Sequence, residues 1–247
     1  MLYRGEAIIL RTWPVHEADQ IVSFFTRDAG KMRGVAKAAS KSRKRFGGAL
    51  EPMTQVIANY AVRPRQELVR LDSLEIVHSP LSEPTDYARS AALAFYVEVI
   101  DAMLPDHDPQ DATFRLLLHV VEQTRVGRIW MPVTYFAVWM VRLMGWMADT
   151  RFCAACRRRF TPEEPIYWHA DTDGLFCEDD RKLGAFALAP ESRRLAEAML
   201  HAPPAQFAEA PWARSRAADL RRFAFQALER HGEQRLHSVF ALGRLSA

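Results

Sequence analysis

The chain has 247 residues, 49% apolar and 26% charged, with 33 Lys+Arg against 30 Asp+Glu and three cysteines. That composition is globular and excludes disordered, collagen-like and disulfide-scaffold classes. Its net charge is only +3, but residues 1–80 hold 13 Lys+Arg against 8 Asp+Glu, and residues 81–150 hold 5 against 9. A basic first third beside an acidic middle predicts two domains with different duties.

In chain order, Glu6 to Thr12 (EAIILRT) and Gln20 to Thr26 (QIVSFFT) read as strands. Ala7-Ile8-Ile9-Leu10 is too short for a secretory leader, so a cytoplasmic protein is expected. Arg27-Asp28-Ala29-Gly30 is a turn with Gly available for φ > 0. Lys31 to Ala38 sets Met32, Gly34 and Ala36 against Lys31, Arg33, Val35 and Lys37, so cations recur on one side. The stretch KMRGVAKAASKSRKR, residues 31–45, carries seven Lys or Arg and no acid. Its first half predicts a fixed strand face with Lys31, Arg33 and Lys37. Its second half, with Lys41, Arg43, Lys44 and Arg45, predicts a mobile loop at the barrel's edge. Thr54 to Val62 and Leu68 to His78 read as two further strands, with an irregularity near Asp72-Ser73 and a turn at Arg63-Pro64-Arg65-Gln66. Five short strands in 80 residues predict a small barrel.

Pro80 to Pro84 punctuates a change to helical spacing. One helix is expected over Ala91 to Met103, and a second over Phe114 to Val121 started by Asp108-Pro109. The longest apolar run, Ile129 to Val141, holds Pro132 and stops at Arg142. A membrane span needs roughly 20 apolar residues, so a buried helix is expected instead, near Val133 to Met147 and central. Residues 151–182 read as irregular and hold every cysteine, and helical spacing returns at Ser192 to Leu200 and at Leu220 to Leu228.

Cys153-x2-Cys156 and Cys177-x2-Asp180 are two turns 20 residues apart, a spacing that suits one tetrahedral ion. Asp179 and His169 are substitutes for the fourth ligand. Two readings stand: one structural zinc ion, or a ribbon that keeps its fold without metal. His16-Glu17-Ala18-Asp19 offers acid–base or metal chemistry, and a metal-dependent nuclease built on it is one rival reading. A polar loop in which Glu17 or Asp19 caps a backbone group is the preferred one. No nucleophile stands near a base, no phosphate-binding glycine loop is present, and a non-enzymatic protein is expected.

A cationic face on a small barrel suits phosphates, and Arg can make forked contacts to them. The expected contacts are Lys31, Arg33, Lys37, Lys41, Arg43, Lys44, Arg45, Arg63, Arg65 and Arg70. The loop from Lys41 to Arg45 is expected to be poorly ordered without DNA. Tyr60 and Phe46 are open to base stacking, although a lone strand aromatic is more often core. Arg214, Arg216, Arg221, Arg222 and Arg230 surround an apolar stripe. They suit a nucleic-acid face, a dock for an acidic peptide or an ordinary exposed face.

Taken together these residues resemble the RecO family of bacterial recombination mediators. The run G-E-A-I-I-L-R-T-W-P-V-H-E-A-D-Q-I-V-S-F-F-T-R-D-A-G-K matches its opening strands, with correspondence at Glu17, Asp19, Thr26, Gly30 and Lys31. V-A-K-A-A-S-K-S-R-K-R-F-G-G-A-L-E-P resembles its basic loop leading to Leu50 and Pro52, and A-F-Y-V-E-V-I-D-A-M-L its helix bearing Tyr96 and Glu98. R-L-M-G-W then precedes the cysteine knuckle, and the likeness runs from residue 5 to about 180.

The resemblance implies an N-terminal OB-fold β-barrel over 1–80 and an α-helical domain over 81–247 with a zinc-ribbon-like insertion at about 150–182. It implies binding of single- and double-stranded DNA and strand annealing. Implied partners are RecR, the acidic C-terminal tail of single-stranded-DNA-binding protein and, indirectly, RecA, with no membrane. Asp180 departs from members that carry a fourth cysteine. A zinc-ribbon RNA-binding or transcription-associated module is the alternative.

Overall fold

The computed structural model describes residues 1–63, 66–208 and 212–245, so Arg65 lies outside the described residues. The chain divides into two compact units, Met1–Val126 and Gly127–Ala247.

The first unit opens with β1 (Leu2–Val15), β2 (Asp19–Thr26) and β3 (Gly30–Ala36). A 3₁₀ turn at Ala39–Lys41 and a single helical turn, α1 (Arg43–Phe46), precede β4 (Gln55–Ala61) and β5 (Val69–His78). The strands pair in the order β1-β2-β3-β5-β4, and β4 pairs back onto β1, so the sheet closes on itself. All pairs are antiparallel except β3 with β5. Alternation sends Ala7, Ile9, Val22, Phe24, Met32, Ala36, Val56, Ala58, Val69 and Leu71 into one core. The irregularity expected near Asp72-Ser73 is present, as the register shifts where Asn59 pairs with Ser73 and Tyr60 with Leu71.

Two helices complete this unit. In α2 (Tyr87–Met103), the Asp86 carboxylate caps the first turn by accepting the Arg89 N–H at 2.7 Å. Arg89 is buried and fans out to the carbonyls of Thr124, Glu83 and Pro84 and to the Glu83 carboxylate. Tyr96 donates or accepts at Thr124 Oγ1 over 2.8 Å. The next helix, α3 (Asp111–Gln123), starts later than Asp108-Pro109 suggests. Residues 106–108 are drawn instead against β3, where Lys31 and Asp106 form a parallel bridge and the His107 N–H donates to the Lys31 carbonyl at 2.9 Å.

The second unit is built on α4 (Trp130–Leu143), whose buried positions run without break from Met131 to Val138. The apolar run therefore does form a helix, which starts at Trp130 and ends at Leu143, short of the expected Met147, and Pro132 sits in the first turn, where a missing N–H is tolerated. Around it lie β6 (Ile166–Trp168) paired with β7 (Phe186–Leu188), α5 (Pro190–His201), α6 (Ala218–His231) and α7 (His237–Gly243). Two α4 side chains satisfy carbonyls at the end of α5: Tyr135 Oη donates to Ala202 and Trp139 Nε1 to Met199, both at 2.9 Å. Among the described residues, no helix is long and apolar enough to cross a membrane.

Candidate nucleic-acid interface and metal centre

The basic stretch does not present its cations equally. Lys31 is buried, and its ammonium donates to the Asp101 carbonyl at 2.6 Å and pairs with Asp106 at 3.3 Å. The preceding turn explains the placement. Thr26 Oγ1 donates to the Gly30 carbonyl and accepts the Ala29 N–H, and Gly30 takes φ 75° against the Asp108 backbone, where any Cβ would collide. Thr26, Gly30 and Lys31 are thus a clasp that docks α2 and the residues after it onto the barrel. The expectation that Lys31 holds a phosphate is corrected, because a buried ammonium with acidic partners is not open to one.

Further along, Arg33, Lys37, Lys41, Arg43 and Lys44 are exposed, and none forms an ion pair among the described residues. The second half of the stretch takes a 3₁₀ turn and a single helical turn. Ala38 turns the chain with φ 52°, its N–H donating to Asp19 Oδ1 at 2.7 Å, and the Ser40 N–H donates to the Ala18 carbonyl. Arg45 then ties α1 back, donating to the Lys37 carbonyl at 2.8 Å and to Ser42 Oγ at 3.0 Å. Asp19 therefore has the backbone-capping role, and it sets the direction of the basic segment. Arg63 and Arg70 are exposed, and Arg70 is paired with Asp72 at 2.8 Å. Tyr60 and Phe46 are both buried in the barrel core.

Register puts two of these cations, Arg33 and Arg70, on one face. Arg11 pairs with Ser23 and Ser23 with Arg33; one step along, Trp13 pairs with Ile21, Ile21 with Val35 and Val35 with Arg70. Directly paired residues share a side of the sheet, and this is the side opposite Val22, Phe24 and Met32. Arg11 and Trp13 also lie on this face, and Arg11 is paired with Asp101 at 3.3 Å. The sequence signal for their shared face is the two-residue spacing at the end of β1. The far end of the same face, Phe25 and Lys31, is covered, with Phe25 and Phe114 ring centroids 5.5 Å apart.

In the second unit the four chelating residues converge. Ligand atoms of Cys153, Cys156, Cys177 and Asp180 all lie within 4.8 Å of one another. Backbone bonds bring the two turns together: the Ala154 N–H donates to the Leu175 carbonyl, and Tyr167 and Phe176 exchange N–H bonds. Arg157, with φ 63°, closes the first turn through its N–H to the Cys153 carbonyl.

Cys156 Sγ and Cys177 Sγ are 3.8 Å apart, and Asp180 Oδ2 is 3.2 Å from the sulfurs of Cys153 and Cys177. A tetrahedron with zinc–sulfur bonds of about 2.3 Å has sulfur–sulfur edges of about 3.8 Å, so the donor set fits such an ion. Without one, hydrogen bonds from Cys156, Cys177 and Cys153 hold the Asp180 carboxyl below its usual range, and Asp180 pushes the Cys156 thiol up to about 12. His169 is turned elsewhere, its Nδ1 accepting the Asp171 N–H at 3.2 Å.

Comparison with known proteins fits both halves. The family model described as Recombination protein O N terminal matches residues 1–80, and Recombination protein O C terminal matches residues 84–239. A DNA repair protein RecO of Koribacter versatilis is 51% identical over 245 residues, covering 99% of this chain and 100% of the relative. The chain belongs to the RecO family. Members of the same name from Geobacter sulfurreducens and Syntrophobacter fumaroxidans are 33% and 32% identical, covering 78% and 71% of this chain and 78% and 70% of those proteins.

Within this family member the arginines of α6 have their own arrangement. Arg221 is buried, donating to Thr134 Oγ1 at 3.0 Å and to the carbonyls of Arg216 and Arg214. Burial pushes its guanidinium down to about 10. Arg214 donates to the Gly243 and Leu245 carbonyls, and Arg222 stands over the Phe186 ring at 3.5 Å. A groove of about 410 Å³ has Trp130, Arg214, Arg222, Phe225, Glu229 and Leu242 among its lining residues.

Proposed function

We propose that the chain is a non-enzymatic recombination mediator that binds single- and double-stranded DNA and anneals complementary strands. Residues 1–80 are read as an OB-fold nucleic-acid-binding domain and residues 81–247 as a helical domain with a zinc-ribbon-like insertion. The strand order β1-β2-β3-β5-β4 supports the OB-fold reading. One observation carries the DNA role: five cations of the basic stretch are exposed and without ion pairs among the described residues.

Arg33, Lys37, Lys41, Arg43, Lys44, Arg45, Arg63, Arg65 and Arg70 hold phosphates without reading bases, while Lys31 is left out as structural. Screening two backbones at once lowers the repulsion between complementary strands. The family points to action with RecR and, through it, to loading of RecA in the cytoplasm at the nucleoid. The groove beside α6 joins cations to an apolar floor. Its arginines suit the acidic tail of single-stranded-DNA-binding protein. Cys153, Cys156, Cys177 and Asp180 would hold one zinc ion. All four positions would come from protein, so the ion would cross-link two turns and leave no open place for a substrate.

The test is the salt dependence of DNA binding. Every cation that no longer neutralises a phosphate should take roughly 0.7–0.9 off the slope of log K against log salt. Replacing Lys41, Arg43, Lys44 and Arg45 together by Gln should therefore flatten the slope and slow annealing of coated complementary strands. An unchanged slope would remove this segment from the DNA site, and a strong preference for structured RNA at matched salt would favour an RNA-binding role instead.

A further inference from the structure

We infer that Trp13 is a stacking platform for a base of single-stranded DNA, on the open end of the outward barrel face. The inference rests on the DNA-binding reading and adds what the cations lack, a contact to the base itself. Trp13 is 39% exposed. Its strand neighbours across the sheet are Ile21, then Val35, then Arg70; in the adjacent row Arg11 is paired with Asp101 at 3.3 Å, Ser23 is buried and Arg33 is exposed. An exposed indole therefore stands at the end of an apolar row that Arg70 closes. Arg33, exposed and without an ion pair among the described residues, lies one row away.

The other aromatics of the barrel are engaged elsewhere. Phe25 packs on Phe114, Tyr60 is core, and Tyr3 is stacked on Tyr60 with ring centroids 5.4 Å apart. The charge pattern selects the occupant. Arg33 beside the apolar row and Arg70 at its end match a strand whose phosphates run along one side and whose bases turn inward. In a duplex the bases are stacked on each other and cannot reach the indole, so the contact is specific to single strands. Stacking is tolerant of sequence, because every base has a π face.

The experiment measures equilibrium binding of the full chain to an oligo-dT strand, to a strand of equal length with abasic positions, and to a duplex, each over a range of salt. Trp13→Ala should weaken oligo-dT binding roughly 5- to 150-fold, with the salt slope unchanged. It should leave abasic and duplex binding nearly as they were. Trp13→Phe should keep most of the affinity, and the unaltered chain should prefer oligo-dT to the abasic strand.

Equal oligo-dT affinity for Trp13→Ala and the unaltered chain would overturn the inference. So would an equal weakening on all three ligands, since that pattern reports a structural role. In both cases DNA binding itself would stand. Absence of DNA binding by the unaltered chain would instead overturn the DNA-binding reading, and the inference with it.

Discussion

The barrel and the second unit hold themselves together by different means. In the barrel, strand ladders close the sheet, so backbone groups pair with one another; Arg33, Lys37, Lys41, Arg43 and Lys44 form no ion pair among the described residues, whereas Arg4, Arg11, Arg27, Lys31 and Arg70 do. In Gly127–Ala247 the strands β6 and β7 have three residues each, and side chains carry much of the polar pairing. Arg221 and Arg214 satisfy backbone carbonyls, Tyr135 and Trp139 finish α5, and three thiols converge on one carboxylate. A count of cations is therefore a poor guide to a nucleic-acid face. Lys31 is the exception that sharpens the contrast, as the one cation of the basic stretch buried with acidic partners.

The largest expected effect lies at the cysteine cluster. If zinc cross-links the two turns, a strong chelator should strip hydrogen-exchange protection from the Ala154, Tyr167 and Phe176 amides, while the β1–β2 and β4–β5 ladders keep theirs. Uniform loss of protection, or none, would break the comparison.

Next come the buried cations. Arg221→Met leaves Thr134 Oγ1 and two carbonyls without their donor, and should lower unfolding free energy by about 3 kcal/mol in urea titration. Lys31→Gln should cost about 2 kcal/mol, because it removes the ammonium that Asp101 and Asp106 face. Its salt slope for DNA should be unchanged. Arg33→Gln should do the reverse, changing the slope by roughly 0.7–0.9 and stability by less than about 0.5 kcal/mol.

The smallest effect is electrostatic. A hydrogen bond from Arg27 holds the Asp111 carboxyl below its usual range. Because the folded value is depressed, the contribution is full above the unfolded pKa and is lost as pH falls through the folded one. Asp111→Asn should therefore lose a little stability at neutral pH and show a shallower decline in acid titration.

How much was readable follows from where each signal resides. β2, β4 and β5 were visible because alternation or an apolar run marks them, whereas the first residues of β1 are exposed on both sides of the strand and give none. β6, β7 and α7 were missed because three to seven residues carry too little periodicity. The metal set was readable because two x2 turns leave few ways to face one ion. The turns of residues 39–46 were not readable, since their placement depends on Asp19 and Ala18 across the barrel.

By itself the sequence determined the barrel-then-helix order, the central place of α4 and the four residues that can hold a metal. These follow from period, composition and short-range spacing, which are local. Tertiary structure alone decided which cations are available. Lys31 and Arg33 sit two residues apart on one strand, yet the Lys31 ammonium meets a carbonyl 70 residues away while Arg33 faces outward. Burial and long-range pairing separate them, and neither leaves a mark on the local pattern. The same is true of Trp13, whose neighbours on the open face come from three other strands.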